Sequence, residues 1–140
     1  MVNVAIILGN LVKAPQVRAL PSGLSVTSFD VRVRRYDLSA DTVPVSVFTN
    51  AGYQLLSWEE GEELLVVGRV RRRFFRAGGS TQSRTEVVAD RVVAVSDKSS
   101  VASALAEATN MLSMGLALSS FPTREEAGAE PEADADGQRV

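Results

Sequence analysis

Five arginines and two phenylalanines lie within the eight residues from Arg69 to Arg76, in a chain whose formal net charge is only −2. Guanidinium groups neutralise phosphates, and aromatic rings stack on unpaired bases. Alternate side chains of a β-strand lie on the same face of that strand. If this stretch is a strand, one face carries three arginines followed by an aromatic ring: Arg69, Arg71, Arg73 and Phe75.

The opposite face of this predicted strand is expected to lie against the core. Val70 and Phe74 have the parity of inward side chains, and Arg72 lies between them. An unpaired guanidinium is costly to bury, so either the strand leaves the fold at Arg72 or a bulge turns this residue outward. Arg76 and the two glycines that follow begin a hairpin, and Arg76 joins the predicted phosphate-binding residues.

A second strand repeats the arrangement, because Arg32, Arg34 and Tyr36 occupy alternate positions. In a third strand Phe48 lies on the polar side, opposite three valines. An arginine on one exposed strand often only protects an edge, but the repetition favours binding of unpaired nucleic acid. The predicted base-stacking residues are Tyr36, Phe48 and Phe75, and the predicted phosphate-binding residues are Arg32, Arg34, Arg69, Arg71, Arg73 and Arg76.

The chain has neither cysteine nor histidine. This composition excludes a Ser-His-Asp triad, a Cys-His pair, a disulfide and a zinc site built from the usual ligands. Only two lysines are present, and the carboxylates form no obvious catalytic constellation. We therefore expect a binding protein rather than an enzyme, with no cofactor and no metal.

Turn signals divide the first 98 residues into strands that should position these side chains. The segment Ala51–Trp58 lacks strand alternation and is predicted to be a short helix between the third and fourth strands, with Trp58 packing in the core. This order predicts an all-β fold, a five-stranded OB-fold barrel of the kind that binds oligonucleotides on a curved face. The predicted strands are Val2–Gly9, Leu24–Tyr36, Val43–Thr49, Leu64–Phe75 and Arg84–Val95.

The composition changes after the predicted OB-fold DNA-binding domain, which covers residues 1–98. Residues 99–122 are predicted to contain an amphipathic helix, because Val101, Leu105, Ala108 and Leu112 recur at helical spacing. Residues 123–140 are predicted to be a disordered acidic tail. The formal charge is +3 up to residue 98 and −5 after it, so the acidic tail conceals a basic domain.

The first 95 residues resemble the bacterial single-stranded DNA-binding protein (SSB) family. The resemblance rests on Gly9-Asn10-Leu11, on Pro15 with Arg18, on Pro21-Ser22-Gly23 and on the segment Thr85–Val92, in this order and spacing. It implies a homotetramer that wraps single-stranded DNA and acts in replication, recombination or repair. It also implies base stacking at the positions of Tyr36, Phe48 and Phe75, the three rings that strand parity selects.

The sequence departs from the family pattern in two places, and the second of them, the tail, points to a specialised paralogue. A further family aromatic falls near Thr42 and is missing here, which predicts less extensive base stacking. The usual acidic tip ending in Pro-Phe is absent, and Phe121-Pro122 is internal and reversed. Replication or repair proteins are candidate partners, but the resemblance does not carry their recruitment over. We expect a cytoplasmic, nucleoid-associated protein.

One alternative is an OB-fold protein-interaction adaptor of a primosome-like assembly, suggested by the apolar segment Ser99–Ser120. Docking of this segment on a membrane is disfavoured, because its polar face lacks the lysines and arginines typical of such helices. The apolar first strand is suited to pairing with a second copy of the chain.

Overall fold

The computed structural model describes residues 1–49 and 57–119. It is mainly β, with a six-stranded sheet followed by one helix. The elements are β1 Ala5–Leu11, β2 Gln16–Ala19, β3 Ser25–Arg34, β4 Ala40–Thr49, β5 Glu63–Ala77, β6 Ser80–Ala94 and α1 Lys98–Ser119.

The strands pair in the order β1-β5-β6-β4-β3-β2, and β1 also pairs with β3 through Asn10 and Leu11. This additional pairing joins both ends of a five-strand series, so β1, β5, β6, β4 and β3 form a closed ring of pairings. These five strands correspond to the five predicted ones. The sixth, β2, was missed by the sequence analysis, because all four of its residues are exposed and show no apolar alternation.

One hydrophobic cluster takes residues from all five strands of this ring. Residues Leu64–Val67 of β5 are all buried, and two of them, Leu64 and Val66, belong to one cluster with Val31 of β3 and Val45 of β4. Trp58 packs against the same cluster, as predicted. The predicted short helix over Ala51–Trp58 lies almost entirely outside the described residues.

The β5–β6 hairpin extends beyond the rest of the sheet. β1 pairs with β5 no further than Gly68, and β4 pairs with β6 at Val87 and Val88. Beyond these positions, within the described residues, β5 and β6 pair only with each other as far as Ala77 and Ser80. A register shift between Val67 and Gly68 precedes the two-stranded section, which begins beyond the pair of Val70 and Val87.

Two side chains of β5 that were predicted to point into the core are exposed, because the pairing of β5 with β1 ends before it reaches them. Val70 is 47% exposed and Phe74 is 64% exposed, so neither side chain lies in the core. Arg72 has the same parity and is also exposed. The first explanation proposed for Arg72 holds, since the strand leaves the sheet before this residue. The register shift lies at Val67 and Gly68, where the extra residue is Asp90 of β6, so it does not turn Arg72.

The helix α1 begins at a capping residue, Asp97. The carboxylate of Asp97 accepts hydrogen bonds from the backbone N–H and the hydroxyl of Ser100, at 3.2 and 2.7 Å. These bonds, led by the one from the Ser100 hydroxyl, hold the pKa of Asp97 below its ordinary value. A short acceptor that satisfies the first helical N–H groups is the usual device for starting a helix.

The buried face of α1 is made of smaller residues than predicted. Ala108 of the predicted apolar face is buried together with Ala104, whereas Leu105 and Leu112 of that face are 41% and 45% exposed. Arg91 of β6 donates to Glu107 at 3.0 Å and ties the first half of the helix to the strands. Apolar spacing indicated a helix correctly and included Ala108, but it did not show that the two leucines stay exposed.

Of the described residues, those between Asn3 and Thr109 form one compact unit, and Met1–Val2 with residues 110–119 belong to a second. In the second unit the Met1 ammonium donates to the carbonyl oxygen of Gly115 at 3.0 Å. By length and composition α1 would be able to span a membrane, a property that core helices of soluble proteins share. The predicted domain boundaries stay predictions, and the predicted tail over residues 123–140 lies outside the described part.

Candidate nucleic-acid interface

The strand register brings side chains of β4, β5 and β6 together at the base of the hairpin. Arg71 is opposite Glu86, and Arg73 is opposite Arg84, so these four side chains share one face of the hairpin. On β4, Ser46 and Phe48 share the parity of this face. Five polar or charged side chains and one ring therefore converge where the hairpin leaves the sheet.

Glu86 holds two of the arginines in position. Its carboxylate accepts a hydrogen bond from Arg71 Nη2 at 2.8 Å and another from the Ser46 hydroxyl at 2.8 Å. Arg73 Nε lies 3.4 Å from the same carboxylate as an ion pair. The Glu86 side chain is only 2% exposed, so both guanidinium groups are anchored on a buried anion.

The electrostatics of Glu86 follow from these contacts. Burial alone would raise the pKa of this carboxyl group, because an apolar environment disfavours its charged form. Hydrogen bonds from Arg71 and Ser46 and the charges of both arginines outweigh burial, and they hold the pKa of Glu86 below its ordinary value. Glu86 is therefore ionised at neutral pH, and one negative charge faces two positive charges.

The same two arginines lie over aromatic rings. The guanidinium carbon of Arg71 is 5.1 Å from the centre of the Phe48 ring, and that of Arg73 is 5.8 Å from the Phe75 ring. Both distances are typical of cation–π contacts. Phe48 and Phe75 remain 39% and 36% exposed, so part of each ring is accessible to a ligand.

A groove with a volume of about 350 Å³ follows this face, includes Arg84 of β6 and adds one more arginine, Arg18 of β2. Arg18 reaches the groove because β2 pairs with β3, where Arg18 is opposite Val26 and Val26 is opposite Phe48. We call this set the groove site: Arg18, Phe48, Arg71, Arg73, Phe75, Arg84 and Glu86.

Sequence reasoning missed three members of the groove site, Arg18, Arg84 and Glu86. The pairing of β2, which places Arg18, leaves no local pattern in the sequence. Arg84 had a usable signal, because a hairpin centred on Gly78-Gly79 places it opposite Arg73. Glu86 lies beside apolar residues of its own strand, and its partners come from two other strands.

A second group of predicted residues lies at the far end of β3. Arg32 and Arg34 share a strand face with Val26, which lines the groove, but Arg32 is six residues further along β3, about 20 Å of extended strand. Within the described residues neither arginine makes a salt bridge, and Tyr36 is fully exposed. We call Arg32, Arg34 and Tyr36 the β3-end cluster.

The two remaining predicted arginines lie outside both groups. Arg69 forms an ion pair with Asp90 at 3.8 Å, and Arg76 donates to the carbonyl oxygen of Gly79 at 3.1 Å in the hairpin turn. Across residues 1–49 and 57–119, histidine, cysteine and acidic residues form no cluster that could hold a metal ion. The convergent chemistry of the described surface is thus cationic and aromatic.

Comparisons with known proteins agree with this chemistry. The profile of the single-strand binding protein family matches residues 2–95, which include every strand described above. The chain is also 30% identical over 108 residues to a single-stranded DNA-binding protein of Oceanobacillus iheyensis, covering 71% of this chain and 67% of that relative. The chain belongs to the single-strand binding protein family.

Proposed function

We propose that this protein binds single-stranded DNA without sequence preference and without catalysis, through the groove site and the β3-end cluster. The observation that carries the proposal is the pair of anchored guanidinium groups of Arg71 and Arg73, each over a partly exposed ring. Cations for phosphates and rings for bases are the two components that unpaired nucleic acid requires.

The geometry supports binding of any base sequence. Phosphate contacts and ring stacking do not distinguish bases, because every nucleotide carries a phosphate and every base has a π-face. Arg71 and Arg73 are already ordered by Glu86, so ligand binding costs less side-chain entropy than ordering two exposed arginines would. The groove residues include four arginines and one carboxylate, which leaves the site positively charged.

We also propose that the fold is an OB-fold barrel and that the protein assembles as a homotetramer. The closed ring of strand pairings supports the barrel. Residues Ala5–Gly9 pair with β5 on one side, and within the described residues no strand pairs on their other side. Ile6 and Leu8 are half exposed there, which supports pairing with a second copy. The mass of the protein in solution tests the assembly.

The same proposal gives the protein a role in replication, recombination or repair. It also places the protein in the cytoplasm, together with the nucleoid. Its biochemical basis is tested by titrating the full chain with a labelled oligo-dT at several salt concentrations. We expect binding that weakens with salt, with a log–log slope of about −0.7 per neutralised phosphate. Absence of binding at the lowest salt concentration would refute the proposal.

Substitutions assign this binding to the groove site. Arg71→Ala should weaken binding and make the salt slope less negative by about 0.7, since one phosphate contact is lost. Lys98→Ala is the matched control, because it also removes one positive charge but lies at the start of α1. Equal effects of the two substitutions would indicate a diffuse charge effect instead of a site.

The adaptor function is a second candidate, supported by one observation. Leu112, Met114, Leu116 and Leu118 are all 45% exposed or more, and they occur on more than one side of α1. A helix that is apolar around its circumference usually requires a partner. Deletion of residues 110–140 discriminates between the two functions. It keeps the buried Ala104 and Ala108, so the packed part of α1 is retained. DNA affinity survives if the groove site binds DNA, whereas an adaptor would lose its protein partner.

A further inference from the structure

The β5–β6 hairpin has a second face whose side chains resemble those of the groove site. Arg72, Phe74 and Arg76 of β5 are opposite Thr85, Ser83 and Thr81 of β6, respectively. Directly opposed residues of antiparallel strands lie on the same face. We call these six residues the back face: Arg72, Phe74, Arg76, Thr81, Ser83 and Thr85.

The back face repeats the arginine–ring contact found on the front. The guanidinium carbon of Arg72 lies 5.2 Å from the centre of the Phe74 ring, and Arg72 Nη2 donates to the Ser83 hydroxyl at 3.2 Å. The Phe74 ring is 64% exposed, compared with 36% for Phe75 on the front. The back face therefore presents more open ring surface than the groove site does.

The composition of the back face indicates the chemistry of its ligand. It has two arginines, one ring and three hydroxyl groups, and none of its six residues is acidic. An apolar peptide would find only two exposed apolar side chains along β5 of this face, Phe74 and Val70, with the charged Arg72 between them. A polyanion with π-faces would instead find cations, hydroxyl donors and a stacking surface together. Single-stranded nucleic acid matches this set in charge and in shape.

The hairpin tip offers a path between the two faces. Gly78 and Gly79 form the turn with positive φ angles of 59° and 83°. They have no side chains, and the space that a Cβ atom would occupy at either position is open. A sugar-phosphate backbone can therefore pass close to the tip without displacing a side chain.

We propose that the back face is a second contact surface for single-stranded DNA, occupied by the same strand that binds the groove site after it passes over the Gly78-Gly79 tip. The proposal rests on the proposed function and extends it to a surface that predicted strand parity assigned to the core. A second contact surface would explain why arginines and phenylalanines occur as neighbouring pairs in Arg72-Arg73-Phe74-Phe75. Each doublet places one arginine or one ring on each face.

The test compares Phe74→Ala with Phe75→Ala, a matched substitution on the front of the same hairpin. Affinities are measured by fluorescence titration with oligo-dT of increasing length, from a short oligonucleotide that fills the groove site to one several times longer. Phe74→Ala should bind the short oligonucleotide normally and the long one about tenfold more weakly, from the loss of one stacking contact. Phe75→Ala should weaken binding at every length.

Normal affinity of Phe74→Ala at all lengths, with weakened Phe75→Ala, would overturn the back-face proposal and leave the proposed function intact. Normal affinity of both variants would count against the groove site itself. An equal loss at every length would overturn the path over the tip. The mass of each variant without DNA is measured in parallel, and a change for Phe74→Ala would show that the back face contacts a second copy instead.

Ultraviolet cross-linking gives an independent readout. A base stacked on Phe74 should yield a cross-link at Phe74 itself, distinguished from one at Phe75 by fragmentation of the peptide, with the long oligonucleotide but not with the short one. Phe74→Ala should abolish the cross-link at that position. A cross-link of equal yield with both oligonucleotides would contradict the length dependence on which the proposal depends.

Discussion

The groove site and the β3-end cluster derive from the same sequence pattern but differ in how their side chains are held. In the groove site, Glu86 anchors Arg71 and Arg73, and both lie over rings. In the β3-end cluster, Arg32 and Arg34 are exposed, and Tyr36 has no neighbour that buries it. Alternate arginines therefore predict a charged strand face but not an ordered one. The order comes from a buried carboxylate on another strand.

The largest effect is expected from removing both rings of the groove site. The double variant Phe48→Ala with Phe75→Ala should lose roughly 2–6 kcal/mol of binding free energy if two stacking contacts are lost additively. Titration with oligo-dT measures this loss, and thermal unfolding verifies that the variant folds. A loss below about 1 kcal/mol would mean that the groove rings do not stack on bases.

Glu86→Gln tests the anchor that distinguishes the two regions. The amide keeps the shape of the side chain but removes the charge that pairs with two arginines, so the folded state should lose roughly 1–3 kcal/mol. The released positive charge should make the salt slope of DNA binding steeper by about 0.7. Urea unfolding and salt-dependent titration measure the two effects. An unchanged stability and slope would show that the anchor has no energetic role.

The pH dependence of stability should report the same carboxylate. The folded-state pKa of Glu86 is depressed below its ordinary value, because the hydrogen bonds and charges of its partners outweigh the effect of burial. Its contribution to stability is therefore fully present above that value and is lost as the pH falls through the depressed folded-state pKa. The stability difference between the unmodified protein and Glu86→Gln should be constant from pH 7 to 5 and shrink below about pH 4. A difference that grows on acidification would contradict the assigned direction.

The smallest effects are expected at the β3-end cluster. Tyr36→Ala should cost about 1 kcal/mol, at the low end for a stacking contact, because this ring must be ordered on binding. Arg32→Ala should make the salt slope less negative by about 0.7. Both are measured by the titration used for the groove variants. If Tyr36→Ala and Phe48→Ala reduced the binding free energy equally, the anchoring that distinguishes the groove site from the β3-end cluster would not matter for binding.

Sequence reasoning located the strands well because the apolar runs of the core are local. Leu64–Val67 and the valines of β4 are recognisable by composition, and strand parity then grouped Arg69, Arg71, Arg73 and Phe75 correctly. Parity tells which side chains share a face but not whether that face is covered. Phe74 was therefore assigned to the core, although the sheet that would cover it ends before the hairpin does.

The parts of the site that were missed depend on long-range pairing. Ser46 and Glu86 are 40 residues apart, and their 2.8 Å hydrogen bond exists because β4 pairs with β6 in parallel. Arg18 depends on the short strand β2, whose four exposed residues leave no periodic signal. Tertiary register, which local sequence patterns do not encode, completed the candidate site.

Hydrogen exchange of the full chain with and without a saturating oligo-dT tests the central claim most directly. The account predicts slower exchange in peptides covering residues 44–49 and 69–86, where the groove site and the hairpin lie, and a smaller change at residues 32–36. Residues 98–109 of α1 should exchange at the same rate in both states. Protection confined to the helix, or no protection of the hairpin when DNA is bound, would contradict the account.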